Sequence, residues 1–117
     1  MANVLVIDDD PSVVRLISLL LLSDGHSVKR ASNGRVGLDS LHEAYPDLIV
    51  LDLQMPELDG RAFYRLARED GYEGPVLLLS AFGAQQARDE LGATASLSKP
   101  FEPDVLLDTV STLVGVG

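Results

Sequence analysis

Short, unbroken apolar runs recur along the chain: VLVI at 4–7, LIVL at 48–51, VLLL at 76–79 and a weaker ASLS at 95–98. Runs of this length suit strands buried on both faces, as in a parallel sheet covered by helices. Between them, segments 11–23, 35–44, 61–69, 84–91 and 103–113 read as helices, and SVKRAS at 27–32 reads as an amphipathic edge strand. The order is (βα)5. Asp10-Pro11 supplies a helix N-cap and an N1 proline, Asp24-Gly25 a helix stop, and Gly34, Gly60, Gly71 and Gly74 further breaks. Alternating strands and helices predict an α/β doubly wound parallel sheet with right-handed crossovers.

The first helix carries more apolar residues than one buried stripe needs. Its spacing predicts a core face of Val13, Leu16, Ile17 and Leu20, leaving Val14, Leu19 and Leu22 to point elsewhere. Scattered exposed apolar side chains are normal, and that is the favoured reading over a docking face for a partner helix. His26 falls in a turn and His42 in a helix, without metal-ligand spacing, and both are expected at the surface.

A chain of 117 residues fits one domain, and we expect a single domain over 1–117 with no output domain. The absence of cysteine excludes disulfides, thiolate zinc sites and cysteine nucleophiles. A formal net charge of -9, with nine scattered basic residues, argues against direct nucleic-acid binding. The apolar stretch from Leu16 to Leu22 is too short to span a membrane. Asp8, Asp9 and Asp10 sit where the apolar core of a signal peptide would have to continue, so the expected location is the cytoplasm.

Each central apolar run ends in a side chain capable of chemistry: Asp8 and Asp9, then Asp52, then Ser80, with Lys99 after the last run. In a parallel sheet these ends share one edge, where ligands of open α/β folds bind. Taken singly, Asp10 is a helix cap, Asp8 or Asp9 a helix-dipole partner, Ser80 a satisfied hydroxyl and Lys99 a solvated cation. Their common edge changes that balance. Clustered carboxylates stay ionised only beside a cation, and hard oxygen donors favour Mg²⁺, which keeps waters and takes phosphate oxygens. Lys99, one of two lysines among nine basic residues, suits phosphate, and Ser80 offers a hydroxyl. A carboxylate among such groups can attack phosphorus and become an aspartyl phosphate, and Asp52 is the central candidate.

The motifs VLVIDDDP, DLIVLDLQMPELDG, VLLLSA and SLSKPF, in that order, resemble the receiver domain of two-component response regulators over essentially the whole chain. The resemblance implies a flavodoxin-like fold with strand order 2-1-3-4-5. It further implies that Asp52 is the phosphoacceptor, charged by a sensor histidine kinase or a histidine phosphotransfer protein. Asp9 and Asp52 would ligate Mg²⁺ directly, Asp8 largely through water, and the Gln54 backbone carbonyl would be a further ligand. Ser80 would bond the phosphoryl group, Lys99 would pair with it, and Ala81 matches the small position beside the site. Lys99-Pro100 resembles the family's cis peptide. Phosphorylation would draw Ser80 and its loop toward Asp52, a two-state switch with self-directed chemistry only and no enzyme activity on other substrates.

Two departures stand out. Ser96 occupies the position where receivers usually carry an aromatic residue, and the segment SAFGAQQARDELG leaves room for only a short fourth helix. Both lie on the face that many receivers use to signal or dimerise, so we expect that face to be used differently here, with at most a weak homodimer. Phe82 could screen the site or be an ordinary surface or core aromatic. The rival readings are a Mg²⁺-dependent aspartyl-phosphate phosphohydrolase and a degenerate receiver that acts by interaction alone. Glutamine at the third place of DLQ and the SKPF segment disfavour the first. The intact set of Asp8, Asp9, Asp52, Ser80 and Lys99 disfavours the second.

Overall fold

The computed structural model describes residues 2–115. Five parallel strands, β1 (Asn3–Ile7), β2 (Ser27–Ala31), β3 (Leu48–Asp52), β4 (Val76–Ser80) and β5 (Ala95–Ser98), form one sheet in the order β2-β1-β3-β4-β5. The helices between and after them are α1 (Pro11–Ser23), α2 (Gly34–Glu43), α3 (Gly60–Asp70), α4 (Ala84–Leu91) and α5 (Pro103–Leu113). The expected flavodoxin-like fold is thereby found, with element ends within about two residues of those read from the sequence.

The continuous apolar runs are explained by two cores on the two sheet faces. Leu5, Ile7, Ile49, Leu51, Val76 and Leu78 pack with α2, α3 and α4 through Leu41, Phe63 and Ala87. The alternate residues Val4, Val6, Leu48, Val50, Leu77 and Leu79 pack with α1 and α5 through Ile17, Leu21, Leu106 and Val110. β3 and β4 are buried throughout, whereas edge strand β2 is mostly exposed, as its alternating sequence predicts.

Side-chain caps and a left-handed glycine mark the helix ends. Asp10 caps α1 by accepting from the Ser12 N–H at 2.9 Å, Asp59 caps α3 through the Ala62 N–H, and Gly71 ends α3 in a left-handed conformation. The Lys99–Pro100 peptide is cis.

Two expectations need correcting. The buried stripe of α1 is Val14, Ile17, Ser18 and Leu21, with Leu16, Leu19 and Leu22 exposed and Val13 and Leu20 half-buried. The helix is apolar almost all round, so spacing alone fits several rotations, and the true stripe includes a serine that an apolar pattern skips. His26 is buried instead of exposed: its loop tucks under the start of the sheet, where Nδ1 accepts the Ala2 N–H at 3.2 Å. His42 is exposed as expected, 3.1 Å from Asp70. Among the described residues no helix is long and apolar enough to cross a membrane.

Candidate functional site at the carboxyl edge of the sheet

The strand order reverses between β1 and β3, which opens a crevice at their carboxyl ends. Ile7 pairs with Leu51, so the register sets Asp8 against Asp52. Asp8 continues the parity of Val4 and Val6, and Asp52 that of Leu48 and Val50, so both lean to the α1/α5 side of the sheet. Asp8, Asp9 and Asp52 each offer a carboxylate oxygen within 4.8 Å of the others. Asp8 and Asp52 are buried, and Asp9 is exposed.

Lys99 reaches this group from the end of β5. Its Nζ donates to Asp8 Oδ2 at 2.8 Å and to Asp52 Oδ1 at 3.1 Å. The lysine is held there by its own backbone, whose N–H donates to the Ser80 carbonyl at 2.8 Å. Burial lowers the Lys99 pKa, but hydrogen bonds and charge from Asp8 and then Asp52 outweigh it and hold the ammonium above its usual value.

Asp52 shows the opposite imbalance. Burial first, and the Asp8 charge second, push its carboxyl up to about 6, against the pull of Lys99 and of the Gln54 N–H 3.4 Å from Oδ1. One lysine does not neutralise two buried aspartates and a third beside them. The donor set therefore fits a hard divalent cation such as Mg²⁺: convergent carboxylate oxygens, an excess of negative charge and one exposed member open to water.

The backbone at this edge is drawn tight by Gly60. A Cβ there would lie 2.4 Å from the Asp52 carbonyl oxygen and 2.7 Å from Leu53 Cα, so only glycine lets α3 start against the end of β3. The Gly60 N–H donates to the Leu53 carbonyl at 3.1 Å, closing the loop that follows Asp52. Sequence reading gave Gly60 only as a break.

Ser80 lies on the same edge, fully buried, but its hydroxyl is engaged away from the acidic cluster. Oγ lies 2.7 Å from Gln54 Oε1 and 2.5 Å from the Phe82 carbonyl, its single proton serving one of the two, and it accepts the Phe82 N–H at 3.1 Å. The Gln54 side chain is the residue that sequence reasoning missed, since only its backbone carbonyl entered the expected ligand set. Phe82 is 82% exposed and joins no core. Ser96 is half-buried in β5.

A groove of about 310 Å³ borders the acidic cluster, lined by Asp8, Asp9, Pro11, Val14 and Arg30 among others. A second, of about 290 Å³ between β1, β2 and the end of α2, brings together none of the candidate site residues.

The chain is a five-stranded parallel α/β domain with an acidic crevice, reached by a lysine, at the carboxyl edge of its sheet. A family profile described as "Response regulator receiver domain" matches residues 4–111, and the chain belongs to that family. It is 36% identical over 119 residues to the transcriptional regulatory protein PcoR of Escherichia coli, covering 97% of this chain and 52% of that one. Among solved structures, the Vibrio cholerae chemotaxis protein CheY4 matches at TM-score 0.89 and 33% identity, over 97% of this chain and 98% of that chain. The Francisella response regulator 1452 receiver domain matches at TM-score 0.91 and 30% identity, over 98% of both chains. The transcriptional regulatory protein GlrR of Escherichia coli, 34% identical over 112 residues, is matched over 25% of its length. The chain thus spans between a quarter and about half of such curated relatives.

Proposed function

We propose that this receiver domain is a phosphorylation-controlled switch in which Asp52 accepts a phosphoryl group from the phosphohistidine of a sensor kinase or phosphotransfer protein. The observation that supports this best is the convergence of Asp8, Asp9 and Asp52 with Lys99 bonded to two of them. Above pH about 6 the Asp52 carboxylate is ionised and nucleophilic. One of its oxygens forms a bond to phosphorus while the P–N bond of the donor breaks, and the departing imidazole nitrogen keeps the electron pair and is protonated.

Asp9 and Asp52, with Asp8 behind them and the Gln54 carbonyl alongside, would hold Mg²⁺, which supplies charge neutralisation for the phosphoryl oxygens. Lys99 carries the remaining positive charge, and a bonded phosphoryl oxygen would take over one of its contacts. Ser80 donates its hydroxyl to the same group and is drawn toward Asp52. The phosphorylated domain regulates a partner or an attached output domain in the cytoplasm and turns over no external substrate.

Incubation with acetyl phosphate and Mg²⁺, followed by intact-mass measurement, tests this reading. A single phosphoryl adduct on the wild type and none on Asp52→Asn is expected. Continuous release of phosphate from an external phosphoester, with no trappable adduct, would instead identify a phosphohydrolase.

A further inference from the structure

Ser80 and Gln54 are joined by a hydrogen bond that bears directly on how the switch rests. Ser80 is fully buried, so its hydroxyl cannot turn to water, and an unpaired buried hydroxyl is costly. It has one proton and two lone pairs, and in this structure they are taken up by Gln54 and the Phe82 backbone. Either orientation of the Gln54 amide occupies the hydroxyl: its oxygen accepts from Ser80, or its NH₂ donates to Ser80 Oγ while the serine proton goes to the Phe82 carbonyl. Gln54 also touches the acidic cluster, because its backbone N–H lies 3.4 Å from Asp52 Oδ1. One residue therefore contacts both the carboxylate and the hydroxyl that phosphorylation would bring together.

We propose that the Gln54 side chain is a latch that holds the Ser80 hydroxyl in the resting position and competes with a phosphoryl oxygen for it. This rests on the reading of Asp52 as phosphoacceptor. Gln54 is a positioning residue in this scheme, since it acts through Ser80. To bond a phosphoryl oxygen, Ser80 must move toward Asp52 and away from Gln54, so with either amide orientation the active state forms against the weight of that hydrogen bond. Because Ser80 Oγ also accepts the Phe82 N–H at 3.1 Å, a displacement of the hydroxyl pulls on the backbone that carries this exposed aromatic ring. The loop after β4 thereby moves with the hydroxyl without any aromatic residue at position 96.

The test uses Gln54→Met, which keeps side-chain length and the backbone N–H but removes the amide oxygen and nitrogen at an exposed position. The probe is beryllofluoride with Mg²⁺, a stable stand-in for the phosphoryl group, titrated while the backbone amide shifts of Ser80 and Phe82 are followed by NMR. Gln54→Met is expected to bind beryllofluoride about two- to tenfold more tightly than wild type, the weight of one neutral hydrogen bond. In a Ser80→Ala background the same substitution should have no effect, because the hydroxyl it competes for is gone. Unchanged or weaker beryllofluoride binding overturns the latch while leaving phosphorylation of Asp52 standing. Equal tightening in the Ser80→Ala background also overturns it. Failure of the wild type to bind beryllofluoride overturns both readings together.

Discussion

At the edge where the strands begin, Arg68, Tyr72 and Asp47 are matched closely to partners; at the edge where they end, charge is left unbalanced. At the first edge, Arg68 Nη1 donates to the carbonyls of Tyr72 and Gly74, each at 2.8 Å, and its guanidinium lies 4.9 Å from the Tyr64 ring centre. Tyr72, whose phenol burial pushes up to about 12, donates to the Pro75 carbonyl, and Asp47 accepts the Asn3 N–H at 2.8 Å. At the second edge, Asp8 and Asp52 are both buried and share a single lysine. The first arrangement stabilises the fold. The second costs stability, in keeping with the proposed cation and phosphoryl group that would complete it.

Substitution at each edge should therefore have opposite signs. Arg68→Ala removes two charged hydrogen bonds to backbone carbonyls and a contact with two aromatic rings. It is expected to destabilise the protein by about 2–3 kcal/mol in urea unfolding, while the folded fraction still accepts phosphate. A neutral result would mean that the two edges do not differ in this way.

Asp52→Asn should do the reverse in metal-free buffer. The folded Asp52 carboxyl is raised from 3.8 to about 6, so its favourable contribution is present below pH 3.8 and is lost as pH rises through 6. Removing the charge is expected to stabilise the protein at pH 7 by about 1–3 kcal/mol and to give no gain below pH 3.8. Thermal melts across this range check both the size and the pH window. Mg²⁺ should narrow the difference, since it stabilises the wild-type carboxylates preferentially.

The same shift sets the pH dependence of the cation. Protons and Mg²⁺ compete for Asp52, so Mg²⁺ affinity measured by calorimetry is expected to fall about tenfold between pH 7 and pH 5, a steeper loss than unperturbed aspartates would give. A flat profile would place the cation elsewhere.

The smallest effect separates strain from charge. Glu57, in the loop after Asp52, has φ 65°, a left-handed conformation unfavourable for a side chain-bearing residue. Glu57→Gly should stabilise the fold by about 0.5–1 kcal/mol, the relief of that strain less the entropy glycine loses on folding, and should leave Mg²⁺ affinity unchanged. A large change in Mg²⁺ binding would show that loop strain, and not the charge of the cluster, shapes this edge.

How far the sequence discloses this molecule follows from what each signal encodes. The runs VLVI, LIVL and VLLL encode burial on both faces, which only a covered parallel sheet satisfies, and the side chains that end them share an edge for topological reasons. Asp8, Asp9, Asp52 and Lys99 were therefore legible as one cluster. The face of α1 was not, because a helix apolar around most of its circumference carries no unique phase and Ser18 interrupts the true stripe. His26 was misplaced because its burial comes from a loop folding under the sheet. The Gln54–Ser80 bond spans 26 residues between two loop and strand-end positions, and no periodicity registers such a pairing.

The most direct test of the central claim asks which atom takes the phosphoryl group. After treatment with acetyl phosphate and Mg²⁺, borohydride reduction converts an aspartyl phosphate to homoserine, which peptide mass spectrometry assigns to a position. The account predicts homoserine at position 52 alone, formed only when Mg²⁺ is present. Label at another aspartate, label independent of Mg²⁺, or no label at all would contradict it.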